Sequence, residues 1–303
     1  MNKEHCSLGR LAPSEKTHNT KSNADNIAEL YSRSPKYESH ANRMKACSNS
    51  MRRREILNVT TGDLTVKTST ERCRVRNCPV CQRVRSSKLV FQLQPALETL
   101  TAEFPKYRWL FLTLTVKNCP VTELRETIKQ MNEAWRRLIQ VKETSIVKGW
   151  LRNVEVTRGK SDDSTAHPHF HVLLFVPSYY FTSGYIKQER WTELWQEAMR
   201  LDYKPQVNVQ AVDSMLKGIQ ELTKATTYSV KPSELVDENG ANWLHELHTQ
   251  CDKLRFIASG GLVKKAIAKA KENVIDVEID GEIVESSDYE WQKAAKRYEM
   301  SKE

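Results

Sequence analysis

The residues best suited to chemistry are His167-Pro168-His169-Phe170-His171. On an extended strand successive side chains alternate, so His169 and His171 share one face while Phe170 points into a core. Two imidazoles two positions apart on a rigid strand form a ready pair of metal ligands. Pro168 would hold the entry to the strand and leave His167 off the regular face. A single histidine would read as an ordinary half-exposed strand position. A pair on one face, in a chain with eight histidines, reads as ligands. Such a site needs more donors. In the preceding run Leu151-Arg152-Asn153-Val154-Glu155-Val156-Thr157 the acid sits between valines. If that run pairs with the histidine strand, Glu155 supplies an oxygen; the competing reading, a solvent-facing strand residue, weighs about the same. Nitrogen and oxygen donors with open positions suit Mg2+ or Mn2+ acting on a phosphate.

Farther on stands Thr227-Tyr228-Ser229-Val230-Lys231-Pro232. Tyr228 and Lys231 are three apart, adjacent on a helix face, so the ammonium can sit beside the phenol oxygen. A nearby cation favours the phenolate and can hold a phosphate or a leaving oxygen. Among ten tyrosines, a packing role would be the default; the upstream histidine motif raises this one above it.

A third constellation is Cys73-x4-Cys78-Pro79-Val80-Cys81, with Cys47 as candidate fourth member. Thiolates in a compact knuckle fit structural Zn2+, which replaces the core so small a module lacks. A redox CxxC is the rival, but no βαβ pattern surrounds it. Cys6, Cys119 and Cys251 read as free thiols. Arg72, Arg74, Arg76, Arg83 and Arg85 interleave with the ligands. Such a run is ordinarily a solvated face, but fixed on a zinc scaffold it would bind phosphates.

Composition agrees with a polyanionic partner. The formal net charge is +9 over 303 residues. Residues 43–88 hold twelve Lys/Arg against three Asp/Glu, so the excess is concentrated there and the remainder is close to neutral. No run reaches the ~18 apolar residues of a membrane span. The polar start has no apolar central run, which argues against a secretory signal. Seven cysteines, three within nine positions, suit metal ligation in a reducing cytoplasm better than disulfides.

The elements that must position these groups follow from periodicity. Trp109 to Val116, Leu151 to Thr157 and His169 to Val176 read as strands. The polar stretch 158–166 between the last two suggests an antiparallel hairpin. Leu124, Ile128, Met131, Trp135 and Leu138 form one helical stripe. Trp191 to Met199 and Met215 to Tyr228 read as further helices. The natural assembly is an α+β fold in four parts. These are a flexible arm over 1–42, a basic Cys-rich zinc module over 43–90, a catalytic domain over 91–235, and a mainly helical extension over 236–303. The extension would break at Gly260-Gly261, with a small hairpin from Val274 to Val284 about Asp280-Gly281.

Together, FLTLTV (Phe111 to Val116), HPHFHVLL (His167 to Leu174) and YSVK (Tyr228 to Lys231) resemble the three motifs of rolling-circle plasmid replication initiators. These belong to the superfamily of endonucleases named for a His–hydrophobic–His signature. With the cysteine module and RFIASGG (Arg255 to Gly261), the resemblance runs from about residue 45 to 270. It implies a five-stranded antiparallel sheet flanked by helices, with the metal on its exposed face. It also implies single-strand nicking at a plasmid origin: Tyr228 attacks, giving a 5′-phosphotyrosine and a 3′-hydroxyl that primes a host polymerase. His169, His171 and Glu155 carry over as ligands, and host helicase and polymerase as partners. Relatives of this type often carry a glutamate four residues before the tyrosine. Here that position is Lys224, and Glu221 lies seven residues before, two helical turns away on nearly the same face. The alternatives are a transposase or relaxase with the same chemistry, and a non-catalytic zinc-containing DNA-binding regulator. A small-molecule metal hydrolase would leave the basic module without a role.

Overall fold

Runs rich in β-branched and aromatic residues make the strands, and apolar stripes at three- and four-residue spacing make the helices. The computed structural model describes residues 11–212, 214–227, 235, 237, 239–273 and 281–301. In chain order its first half contains α1 (Glu15–Ser32), α2 (Glu38–Ala46), β1 (Ser50–Leu57), β2 (Leu64–Thr70), α3 (Pro79–Glu103), β3 (Tyr107–Thr115), β4 (Cys119–Pro120), α4 (Leu124–Leu138) and β5 (Gly149–Arg158). The second half contains β6 (Thr165–Pro177), α5 (Gln188–Met199), β7 (Val207–Ala211), α6 (Met215–Thr227), α7 (Gly240–Cys251), β8 (Ile257–Gly260), α8 (Gly261–Asn273), β9 (Glu282–Gln292) and β10 (Arg297–Met300). The fold is mixed α+β, with antiparallel sheets flanked by helices. Two units divide the chain: Met1–Arg83 with Val274–Glu303, and Val84–Asn273.

The first unit differs from expectation at both ends of the chain. The arm foreseen over 1–42 is helical over most of its described part. Ala24, Ile27, Ala28 and Tyr31, at helical spacing, are fully buried. Lys21 is buried as well, its ammonium bonded to Asp25 at 2.7 Å and to the Lys45 carbonyl at 2.9 Å. After α7 and α8 the tail ends in strands: β9 and β10 join β1 and β2 in an antiparallel sheet of order β10-β9-β1-β2. Met51, Tyr289 and Tyr298 form its small core. The Tyr298 hydroxyl donates to the Ser48 carbonyl at 2.6 Å. Of the hairpin foreseen about Asp280-Gly281, Val274 to Asp280 lie outside the described residues; β9 pairs with β1 and β10.

The second unit holds the histidine strand at the centre of its sheet. The strand order is β7-β3-β6-β5-β8, with the short β4 also on β6, and the pairings are antiparallel. Five strands lie on this path, and β4 makes the sheet six-stranded. On one face Phe170 is fully buried, with the Trp195 ring of α5 at 6.1 Å and the Arg152 guanidinium at 4.0 Å. The α4 stripe of Ile128, Met131, Trp135 and Leu138 is buried, and Trp135 meets Trp150 of β5 edge-on. On the other face Trp109, Phe111, Leu151, Leu173 and Phe175 form a core with Leu93 and Leu97 of α3, Ile219 and Leu222 of α6, and Val263 of α8. That core covers only one end of the face. Toward the other end, the same rows of side chains continue as Glu155, His169 and His171, which are half-buried.

Phe170 therefore anchors the strand from behind while its neighbours face the open end. Phe170→Ala is expected to cost about 3–5 kcal/mol, read as a lower urea midpoint in equilibrium unfolding. An unchanged midpoint would contradict this packing.

Candidate functional site

The β5–β6 register sets Glu155 opposite His169 and Asn153 opposite His171. Cross-strand partners share a face, so the carboxylate lies beside both imidazoles. Glu155 Oε2 is 2.7 Å from His169 Nε2 and 2.6 Å from His171 Nε2. The three side chains keep only 12–21% exposure. Burial alone would raise the Glu155 pKa, but the hydrogen bonds and charges of His169 and His171 outweigh it and hold it at about 2.

The other ring nitrogens are also engaged. His169 Nδ1 lies 3.3 Å from the His167 carbonyl, and His171 Nδ1 lies 3.4 Å from Thr113 Oγ1. Metal-binding histidines are held in this way, by a carbonyl or oxygen on the far nitrogen that turns the near one toward the ion. Two Nε2 atoms and one carboxylate oxygen converge on one point and could together hold a divalent metal ion.

His167 is on the same face as His169 and His171, contrary to expectation. The strand begins at Thr165, and Pro168 lies inside it. Pro168 is accommodated because β3 pairing ends at His169 and β4 pairing resumes at Ala166, leaving a gap where no donor is needed. His167 Nδ1 bonds Asn118 Oδ1 at 2.9 Å, and its ring lies 5.3 Å from that of His169. Burial, and then the charge of His169, lower its pKa.

Cys47, Cys73, Cys78 and Cys81 come together in the first unit, all buried. Their sulfurs are 3.7 Å apart for Cys47–Cys81, 3.6 Å for Cys73–Cys81 and 3.7 Å for Cys78–Cys47. Disulfide sulfurs lie about 2.05 Å apart. Four thiolates on a tetrahedral ion with bonds of about 2.3 Å would be spaced about 3.8 Å apart. Backbone amides of Cys73 and Arg74 point at the Cys47 and Cys81 sulfurs, at 3.4 and 3.3 Å. Arg74 takes a left-handed backbone (φ 60°) there. The hydrogen bond with Cys47 is the largest influence on three of the thiols, lowering the pKa of Cys81 and raising those of Cys73 and Cys78.

A family profile described as "Replication protein" matches residues 65–302. The chain belongs to the Rep family of replication proteins. It is 35% identical to "Protein rep" of Streptococcus pneumoniae over 71% of this chain and 68% of the relative. It is 36% identical to "Protein rep" of Lactiplantibacillus plantarum over 73% and 72%. For "Protein rep" of Bacillus amyloliquefaciens the identity is 35%, over 64% of this chain and 62% of the relative, just under two thirds of its length. No solved structure matches significantly. Membership bears out the resemblance to plasmid replication initiators. Among the described residues no helix is long and apolar enough to cross a membrane.

The remaining site residues of this Rep chain are placed as follows. Tyr228 and Lys231 lie outside the described residues. Glu221 is on α6, exposed, and not a member of the Glu155–His169–His171 cluster. Arg72, Arg74 and Arg85 are exposed; Arg76 and Arg83 are half-buried. Arg83 Nη1 reaches the hydroxyls of Thr17 and Thr20, both at 3.4 Å, so part of its donor capacity is used inside the first unit.

Sequence reasoning missed three supports. Thr113 orients His171, and only the β3–β6 register could reveal it. Fully buried Asn153 donates from Nδ2 to the Leu222 carbonyl at 2.8 Å, tying α6 to the ligand strand. Arg158 forms an ion pair with Asp237, one contact being Nη2 to Oδ1 at 3.0 Å.

The low Glu155 pKa has a direct consequence for the metal-free protein. Its ionised form stabilises the fold above about pH 4.5, and that contribution is lost as pH falls toward about 2. Glu155→Gln should remove that part of the acid-side decline in Tm. An identical Tm–pH curve for the two proteins would refute it.

Proposed function

We propose that this chain initiates rolling-circle replication of a plasmid by nicking one origin strand, with Tyr228 as nucleophile. The observation that carries the reading is the convergence of Glu155, His169 and His171 on the open end of an otherwise covered sheet face. An ion held there, Mg2+ or Mn2+, would supply Lewis-acid polarisation of the scissile phosphate.

Anchoring of the chain on both sides of Tyr228 supports its role. Leu222 is fastened to Asn153, two residues or about 6.6 Å along the strand from Glu155. Thr227, the last residue of α6, lies five residues beyond Leu222, about 7.5 Å of helical rise. On the far side, Asp237 is fastened to Arg158, three residues beyond Glu155 on β5. Both tethers are therefore on the ligand strand, on either side of the carboxylate.

In the reaction the Tyr228 oxygen bonds to phosphorus and gives up its proton. The bond from phosphorus to the 3′ oxygen breaks, and that oxygen takes up a proton as a free hydroxyl. The 5′ side stays on the protein as a phosphotyrosine, which conserves the phosphodiester energy. Lys231 would favour the phenolate and Glu221 would assist a closing step. The released 3′ end would prime a host polymerase while a host helicase opens the duplex. The cysteine cluster would hold a structural Zn2+, and Arg72, Arg74, Arg76, Arg83 and Arg85 would dock origin phosphates.

Supercoiled origin DNA with Mn2+ should be nicked, and Tyr228→Phe should abolish nicking while DNA binding persists within about twofold. Binding without tyrosine-dependent nicking would leave a DNA-binding regulator. The purified protein should carry about one zinc per chain by elemental analysis, lost with a lowered Tm in Cys78→Ser. Full stability without bound metal would exclude the zinc assignment.

A further inference from the structure

One strand away from the histidines lies a cleft of about 420 Å3. Its lining includes Thr113 and Thr115 of β3, Lys204, Gln206 and Asn208 in and before β7, and Gln188 at the start of α5. Thr113 and Thr115 pair in register with His171 and His169, and Thr113 also bonds the His171 ring. The cleft wall is thus the next strand over, about 4.8 Å from the ligand strand.

The lining is unusual in chemistry. It sets hydroxyls, carboxamides, one ammonium and one carboxylate among apolar surface that includes Pro205 and Val207. The side-chain amides of Gln206 and Asn208 have no hydrogen-bond partner among the described residues, and both residues are exposed. An amide offers a donor and an acceptor side by side, the pattern that reads a base edge. Lys204 suits a backbone phosphate, while the carboxylate of Glu189, also lining the cleft, disfavours a wholly anionic occupant. The volume falls in the lower part of the range for small-ligand sites, about 300–1,000 Å3.

We propose that this cleft holds one unpaired nucleotide of the strand to be nicked, its base against Gln206, Asn208 and Gln188 and its backbone toward Lys204. The inference rests on the nicking reading above. It adds a sequence-reading subsite that would seat the adjoining phosphate over Glu155, His169 and His171. Because Thr113 belongs to both places, a seated base would also steady the His171 ring.

The test uses the full-length chain carrying Tyr228→Phe, so that binding is read without cleavage. Labelled single strands tiled across the plasmid origin are titrated with Mn2+ present, each base in turn replaced by an abasic sugar. One lesion should weaken binding about tenfold. The same lesion should cost the Gln206→Ala/Asn208→Ala protein less than about twofold, while lesions elsewhere cost both proteins equally. The inference is overturned if the double variant keeps the full penalty, or if it weakens intact and abasic strands alike. Asn208→Ala alone, on an edge strand, provides the same comparison should the double variant misfold. Absent nicking beside intact base-specific coupling would count against the proposed reaction and leave the cleft assignment standing.

Discussion

The pairing register of β5 with β6 is the constraint on which the rest depends. A slip of one residue would send Glu155 to the opposite face and leave the two imidazoles without their carboxylate. The hairpin linking the strands locks the alignment. Gly159 donates its amide to the Thr165 carbonyl at 2.9 Å, and the Ser164 amide donates to Asp162 Oδ1 at 2.9 Å. A Cβ at residue 159 would lie 2.0 Å from Thr165 Oγ1 and 2.5 Å from the Asp162 carbonyl. Behind the sheet, Phe170 and Arg152 fill positions that no shifted register could match.

Two clusters of potential metal ligands are built on opposite principles. The cysteines are soft donors, four in number, buried, with their sulfurs within 4.8 Å of one another. The histidines and glutamate are harder donors, three in number, on a rigid strand pair with one side left open. A closed set suits holding a fold together, and an open set leaves room for a substrate oxygen.

Much of the site was legible because it is local. Alternation along a strand is a two-residue rule, so His169 and His171 were readable as a pair, and so was Phe170 behind them. The cysteines were readable from spacing, and Cys47 joins the other three as expected. Glu155 was readable only on condition that its run pairs with the histidine strand, which it does. The failures are non-local. Thr113, Asn153 and Arg158 gain meaning from registers and tethers that no short window contains. Residues 1–42 looked like an arm because Ser, Asn and Lys dilute the stripe of Ala24, Ile27 and Tyr31. The last strands were missed because Glu282 pairs with Leu57, 225 positions earlier.

That distant pairing has a temporal consequence. During synthesis β1 emerges with β2 beside it, yet its other edge stays bare until β9 leaves the ribosome. At about 5–20 residues per second, the wait is roughly ten to forty-five seconds. An exposed strand edge is a hazard for aggregation, and Arg52, Arg53 and Arg54 along β1 provide the like-charge repulsion that keeps nascent copies apart. A chain cut short before residue 282 would keep the histidine strand and its helices but never close the sheet of the cysteine-bearing unit.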